Sequence, residues 1–177
     1  MDTLRPLRLR QTTAADTLFM VRAADRRDLD AARELHGRCS ARSLRSRYHG
    51  PLRDADRYLD HLLDRRFGRS LGVWADGRLI ALGHLLRDPA EPAAAELALL
   101  VEDAWQHRGV GAALARELLA DAHDQGLREV WALAQTANDA MLATMRGLGL
   151  PLDYEVADGT ITVTASVGST EAVEALA

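Results

Sequence analysis

The chain has 177 residues, 47% of them apolar, a net charge of −4 and a single cysteine, Cys39. That size and apolar content suit one globular domain able to bury its own core, and one cysteine excludes both a disulfide framework and a cysteine-rich zinc site. The charge argues against a dedicated nucleic-acid binder; no apolar run is long enough to span a membrane and the start lacks a secretory signal, so the expected compartment is the cytoplasm.

Residues 1–16 are polar and Thr/Ala-rich and read as a lead-in or an edge strand. "TLFMVR" (17–22) reads as a strand. Over 24–39, Leu29, Ala32 and Leu35 recur on one helical face, with Asp25 as N-cap. "SARSLRSRYHGP" starts a second helix with Ser40 as its cap and stops at Gly50–Pro51. In "RDADRYLDHLLDRRFG", Tyr58 and Leu62, with Leu59 and Leu63, define a third amphipathic helix closed by Gly68.

The pattern then turns to β. "SLGVWADGRLIALGHLLRD" is two apolar runs joined by Asp76–Gly77, a strong hairpin signal. A third strand spans Ala94 to Val101, and a helix follows from Val110 to about Gln125 with Gly126 as its C′ residue. "LREVWALA" (127–134) is a strand, and "TANDAMLATMRGLG" a helix ended by Gly147 and Gly149. "LDYEVADGTITVTASV" is a second Asp-Gly hairpin, and the tail 167–177 is expected to fray. The order β–α–α–α–β–β–β–α–β–α–β–β predicts an α/β fold in a domain spanning 17–166. Its sheet is mixed and mostly antiparallel, flanked by helices, with one β–α–β crossover.

The most informative stretch is "WQHRGVGAALAREL" (105–118), where Gly109 and Gly111 stand at a helix start. A helix start presents unpaired N–H groups and a positive dipole end, and glycines let an oxygen-rich ligand approach them. Arg108 can add a charge-assisted bond to a phosphate. Val110, Leu114 and Leu118, at i, i+4 and i+8, point one face of this helix at a core. A nucleotide P-loop would need Lys and Ser/Thr after the second glycine; Ala112 and Ala113 stand there. A dinucleotide fingerprint would need a third glycine at 114, which is Leu. A turn with no ligand and a cradle for another phosphorylated ligand both stay open on this loop alone.

The loop resembles the signature of the GNAT superfamily of N-acetyltransferases, Gln/Arg-x-x-Gly-x-Gly/Ala opening a helix after a strand. Gln106-His107-Arg108-Gly109-Val110-Gly111 satisfies it, "AELALLVED" precedes it, and the element order agrees over 17–166. "NDAMLATMRGLGL" (138–150) looks like the family's Asn helix, with Leu150 in place of Phe. "SARSLRSRYHGPL" resembles the Ser-x-x-Ser-x-x-x-Arg-aromatic helix of a bacterial subgroup that includes protein-lysine acetyltransferases.

The resemblance implies acetyl-CoA as ligand, with no metal. Its pyrophosphate would lie on the N–H groups of Arg108, Gly109, Val110, Gly111 and Ala112, in a loop that also holds Gln106 and His107. Its pantetheine arm would pair with Leu99, Leu100 and Val101, where two strands splay, and Asn138 would contact it from the next helix. Glu96 is the candidate general base: an acid in an apolar strand, ten residues before Gln106, whose burial would raise its pKa. A backbone N–H near Leu99 would polarise the thioester carbonyl. Many members place a Tyr acid seven residues after the Asn; here that position is Met145, which cannot donate a proton, and Tyr154 is a distant substitute.

Glu102 and Asp103 read as loop charges, His84 as a half-buried sheet histidine, His107 as a backbone donor and Cys39 as a packed small residue. Arg38, Arg42, Arg45, Arg47 and Tyr48 fall on the helices of the acceptor-side lip; were they to line it, they would favour an acceptor with a carboxylate or phosphate. The expected activity is direct acetyl transfer to an amine, of a protein lysine or a small molecule, by a monomer or homodimer; the alternatives are a non-catalytic acyl-CoA-binding module and a plain interaction domain. All 22 basic residues are Arg, so the protein has no lysine of its own to modify.

Overall fold

The computed structural model describes residues 5–6, 19–49 and 55–168. Among these, eight strands form one sheet: β1 (Arg5–Pro6), β2 (Phe19–Ala23), β3 (Gly68–Ala75), β4 (Arg78–Leu86), β5 (Ala94–Val101), β6 (Glu129–Gln135), β7 (Leu152–Ala157) and β8 (Thr160–Ser166). The helices are α1 (Leu29–Arg38), α2 (Ala41–Tyr48), α3 (Ala55–Leu62), α4 (Val110–Asp124) and α5 (Asp139–Arg146). The order across the sheet is β1-β2-β3-β4-β5-β6-β8-β7. Every neighbouring pair is antiparallel except β5–β6, which the α4 crossover makes parallel. The mixed, mostly antiparallel α/β sheet expected from the sequence is thus the observed fold.

Local signals explain most boundaries. Asp76 (φ 49°) and Gly77 (φ 77°), like Asp158 (φ 48°) and Gly159 (φ 77°), adopt the doubly left-handed turn that suits a two-residue hairpin. Asp25 caps a 3-10 turn at Arg26–Asp28, in a reciprocal box with Asp28, and α1 follows directly. The Ser40 Oγ accepts from the Ser43 N–H at 3.2 Å and starts α2, which ends with His49 in the left-handed region; Gly50 and Pro51 lie outside the described residues.

Each sheet face has its own core. On one, α4 and α5 bury Val110, Leu114, Leu118 and Met145 against Leu85, Leu97 and Val130. On the other, Ala32 and Leu35 of α1 and Leu59 of α3, with Leu63 just beyond it, cover Leu79, Leu82 and Leu100. Three expectations are corrected. Leu59 and Leu62 form the buried face of α3, continued by Leu63 just beyond it, while Tyr58 is exposed at its rim. Gly68 does not close that helix: the Asp64 side chain accepts from the Arg66 N–H in a turn after Leu63, and Gly68 opens β3. Val167, placed in a fraying tail, is fully buried and its N–H donates to the Arg128 carbonyl at 2.8 Å.

Candidate active site

β5 and β6 are bonded only at Ala94–Glu129, Ala95–Val130 and Glu96–Trp131, although β5 runs on to Val101 and β6 to Gln135. The strands therefore part just past Glu96. The Glu102 N–H donates to the Ile80 carbonyl at 2.9 Å, which makes those two a hydrogen-bonded antiparallel pair. Alternation along β5 then turns the backbone groups of Ala98 and Leu100 towards β4, and those of Leu99 and Val101 into the gap. Leu100, which the family resemblance groups with its neighbours, thus faces the wrong way to pair with a ligand in the gap, and its side chain packs in the α1–α3 core. The Val101 carbonyl is already occupied by Gln106 Nε2 at 3.0 Å. What remains towards the gap is the N–H and C=O of Leu99 and the N–H of Val101.

The loop after β5 curls through two left-handed residues, His107 (φ 57°) and Gly109 (φ 81°). The first α4 hydrogen bond runs from the Ala113 N–H to the Gly109 carbonyl at 2.9 Å, so the N–H groups of Val110, Gly111 and Ala112 lack intrahelical acceptors. Gly109 meets the positive φ, which costs a residue with a Cβ about 1–2 kcal/mol. Gly111 has no such demand: a Cβ there would meet only Val101 Cγ2 at 3.5 Å and Thr144 Oγ1 at 4.0 Å, ordinary contacts. The protein's own packing does not require this glycine, and its bareness leaves room beside the open N–H groups. Arg108 is exposed, its guanidinium 5.2 Å over the Trp105 ring.

Glu96 is half-buried. Ala95 and Leu97 belong to the α4 core, so the alternation of side chains puts Glu96 with Ala98 and Leu100 on the α1–α3 face. Among the described residues no cation pairs with it. Asn138 caps α5, its Oδ1 accepting from the Met141 N–H at 3.2 Å, which leaves the amide nitrogen as its remaining donor. Met145 is fully buried among the α5 core residues.

α2 is tied to the glycine loop by Asp103, which accepts from the Ser40 N–H (2.8 Å), Ser40 Oγ (2.7 Å) and Ser43 Oγ (3.0 Å). Gln106 Nε2 also donates to Ser43 Oγ at 2.9 Å. Glu102 is not a solvated loop charge: it is buried, with Arg38 Nε at 3.0 Å and Arg78 Nη2 at 3.3 Å. Arg38, which also donates to the Leu79 carbonyl at 2.6 Å, is thereby held away from the acceptor lip. Arg42 and Arg45 are exposed, and Arg47 is buried.

Two imidazoles lie beneath α2. His36 Nδ1 sits 2.8 Å from the Ala32 carbonyl, which can only accept, so Nδ1 carries the proton and Nε2 accepts from the Tyr48 hydroxyl. His84, expected half-buried, is fully buried in β4, its Nδ1 2.7 Å from Ser70 Oγ. Burial, helped by the positive charge of Arg47, lowers the pKa of both and keeps them neutral. Burial also pushes the Tyr48 phenol up to about 12, and, with the charges of Asp103 and Glu102, the Cys39 thiol to about 12, so Cys39 is an inert core residue.

The acetyltransferase (GNAT) family model matches residues 30–150, more than half of the chain, and the chain belongs to that family. Among solved structures, the GNAT domain of S. lividans PAT superposes with a TM-score of 0.80 at 23% identity, covering 93% of this chain and 96% of that one. The ribosomal-protein-S18-alanine N-acetyltransferase of Escherichia coli gives 0.67 at 18% identity, covering 86% and 96%. A PaiA N-acetyltransferase of Thermoplasma acidophilum, solved with coenzyme A, gives 0.67 at 17%, covering 84% and 98%. No curated protein sequence matches significantly.

Proposed function

We propose that this protein transfers an acetyl group from acetyl-CoA directly to an amine. The observation that carries this reading is the parting of β5 and β6 beside the uncapped start of α4. An extended amide-bearing arm fits the edge left open by Leu99 and Val101, and a pyrophosphate fits the N–H groups from Arg108 to Ala112, where Gly111 adds no Cβ. The coenzyme A bound to the T. acidophilum relative supports the same assignment. Asn138 would contribute its amide nitrogen from α5.

Glu96 takes the proton that an ammonium must lose before its nitrogen attacks the thioester carbonyl carbon; the C–N bond forms and the C–S bond breaks. The Leu99 N–H polarises the carbonyl oxygen. With Met145 sealed in the core, the departing thiolate takes its proton from water, tolerable for a thiol of pKa about 8.5. The acceptor is a protein amine, as the E. coli relative's name says of its own substrate, or a small amine.

Thiol release across an amine panel, by wild type and Glu96→Gln, tests this. Glu96→Gln should lower kcat about 10²–10⁴-fold, while stabilisation by acetyl-CoA, about 2.7 kcal/mol at a hundred times Kd, is retained. Unchanged turnover in Glu96→Gln overturns the base assignment. Stabilisation without release from any amine favours the non-catalytic binding module, which the loss of the tyrosine acid at Met145 motivates.

A further inference from the structure

Among the described residues three formally charged side chains are buried: Arg47, Asp64 and Glu102. Asp64 pairs with Arg26 and Arg66, and Glu102 with Arg38 and Arg78. Among the described residues Arg47 has no such partner. It is 8% exposed, and its Nε and Nη2 are buried without an acceptor. Its guanidinium lies 4.8 Å over the Tyr48 ring, and the nearby imidazoles of His36 and His84 bring no negative charge. Removing a guanidinium from water without an anion is strongly unfavourable, so a fold that keeps one in this state is missing a partner.

Two features say what the partner is and where it arrives. Nε–H and Nη2–H lie side by side on one edge of the guanidinium, and that edge grips the two oxygens of one carboxylate. Arg47 stands in the last turn of α2, a helix that packs on β5 and also meets β6, the two strands that part past Glu96. Leu44 of the same helix packs on the core that holds Leu100, whose sheet face Glu96 shares. The unpaired fork is therefore on the side from which Glu96 would deprotonate an amine.

We infer that Arg47 anchors a carboxylate carried by one of the two reactants, the amine or the acyl chain, and so sets the specificity of the site. This rests on the acyl-transfer reading above. The amino-acid arm compares L-leucine, L-methionine and L-phenylalanine with their carboxamides as acceptors of acetyl-CoA, with rates normalised to neutral amine. The acyl arm compares succinyl-CoA with butyryl-CoA on the carboxamides. In one arm the carboxylate member should be favoured about tenfold or more in kcat/KM, and the arm that shows it identifies the reactant. Arg47→Gln should erase that preference while acetyl-CoA still raises its melting temperature; Arg47→Lys, which keeps charge but not the fork, should restore it in part.

No preference in either arm, or a preference that survives in Arg47→Gln, overturns the inference. If Arg47→Gln does not fold, the wild-type arms and Arg47→Lys decide. If acetyl-CoA stabilises the wild type but no pair releases thiol, the transfer reading fails separately. Arg47 is then judged by binding: L-leucine or succinyl-CoA should raise the melting temperature more than L-leucinamide or butyryl-CoA, and equal shifts reject it.

Discussion

Gly109 and Gly111 stand two residues apart and answer to different forces. Gly109 is fixed by a left-handed φ of 81°, whereas Gly111 has ordinary helical surroundings and space for a Cβ. Gly109→Ala should therefore destabilise the free protein by about 1–2 kcal/mol. Gly111→Val should leave unfolding of the free protein within about 1 kcal/mol of wild type, since glycine is itself a poor helix residue, yet abolish stabilisation by acetyl-CoA. Chemical denaturation with and without acetyl-CoA reads both; full stabilisation of Gly111→Val would remove the pyrophosphate from this loop. The Ser-x-x-Ser-x-x-x-Arg pattern also resolves into separate tasks. Ser40 and Ser43 fasten α2 to Asp103, and Arg47, one turn beyond Ser43, is a buried cation without a partner among the described residues. The spacing was visible in the sequence, but Asp103 as its acceptor was not, because those residues are 60 or more positions apart.

At the scale of elements, α4 positions the glycine loop and is seated on β4 and β5. Its seat depends on Gly83: a Cβ there would come within 2.6 Å of Leu118 Cδ1, 2.9 Å of Leu99 Cδ2 and 3.1 Å of Leu114 Cδ2. These are ends of flexible side chains, so Gly83→Ala should fold but lose about 1–3 kcal/mol. It should also weaken acetyl-CoA binding, because Leu99 belongs both to that contact and to the gap. Denaturant midpoints at constant m-value check the first effect, and a midpoint at or above wild type would show that α4 does not need this close approach. Periodicity and Asp-Gly turns marked nearly every element, since those signals act over a few residues. It misassigned Tyr58 because a residue at the margin of an apolar stripe is decided by what packs beside it; here Tyr48 meets it edge-on, 5.2 Å between ring centres.

For the whole molecule, two buried neutral imidazoles make stability depend on pH. The folded pKa of His84 lies well below the ordinary 6.5 and that of His36 below it, so the unfolded chain binds these protons more readily. Stability from this source is present above pH about 6.5 and is lost as pH falls below it towards the depressed folded values. Asp25, held at about 2 by its bond with Arg27, acts in a separate window, losing its contribution only as pH falls from 3.8 towards 2. The melting temperature should thus decline from pH 7 to pH 5, and His84→Asn should make that decline shallower; an equal slope would show that His84 is not the group concerned. The sequence by itself determined the elements, the mixed sheet, the glycine loop and the family, all written in spacings of a few residues. Only the tertiary structure decided where β5 and β6 part, just past Glu96, that Leu99 rather than Leu100 faces the gap, and that Glu102 is in a buried ion pair. It alone left Arg47 without one among the described residues. These outcomes depend on which distant groups meet, as Arg38 and Glu102 do across 64 positions, and burial and strand direction are set only once those contacts form.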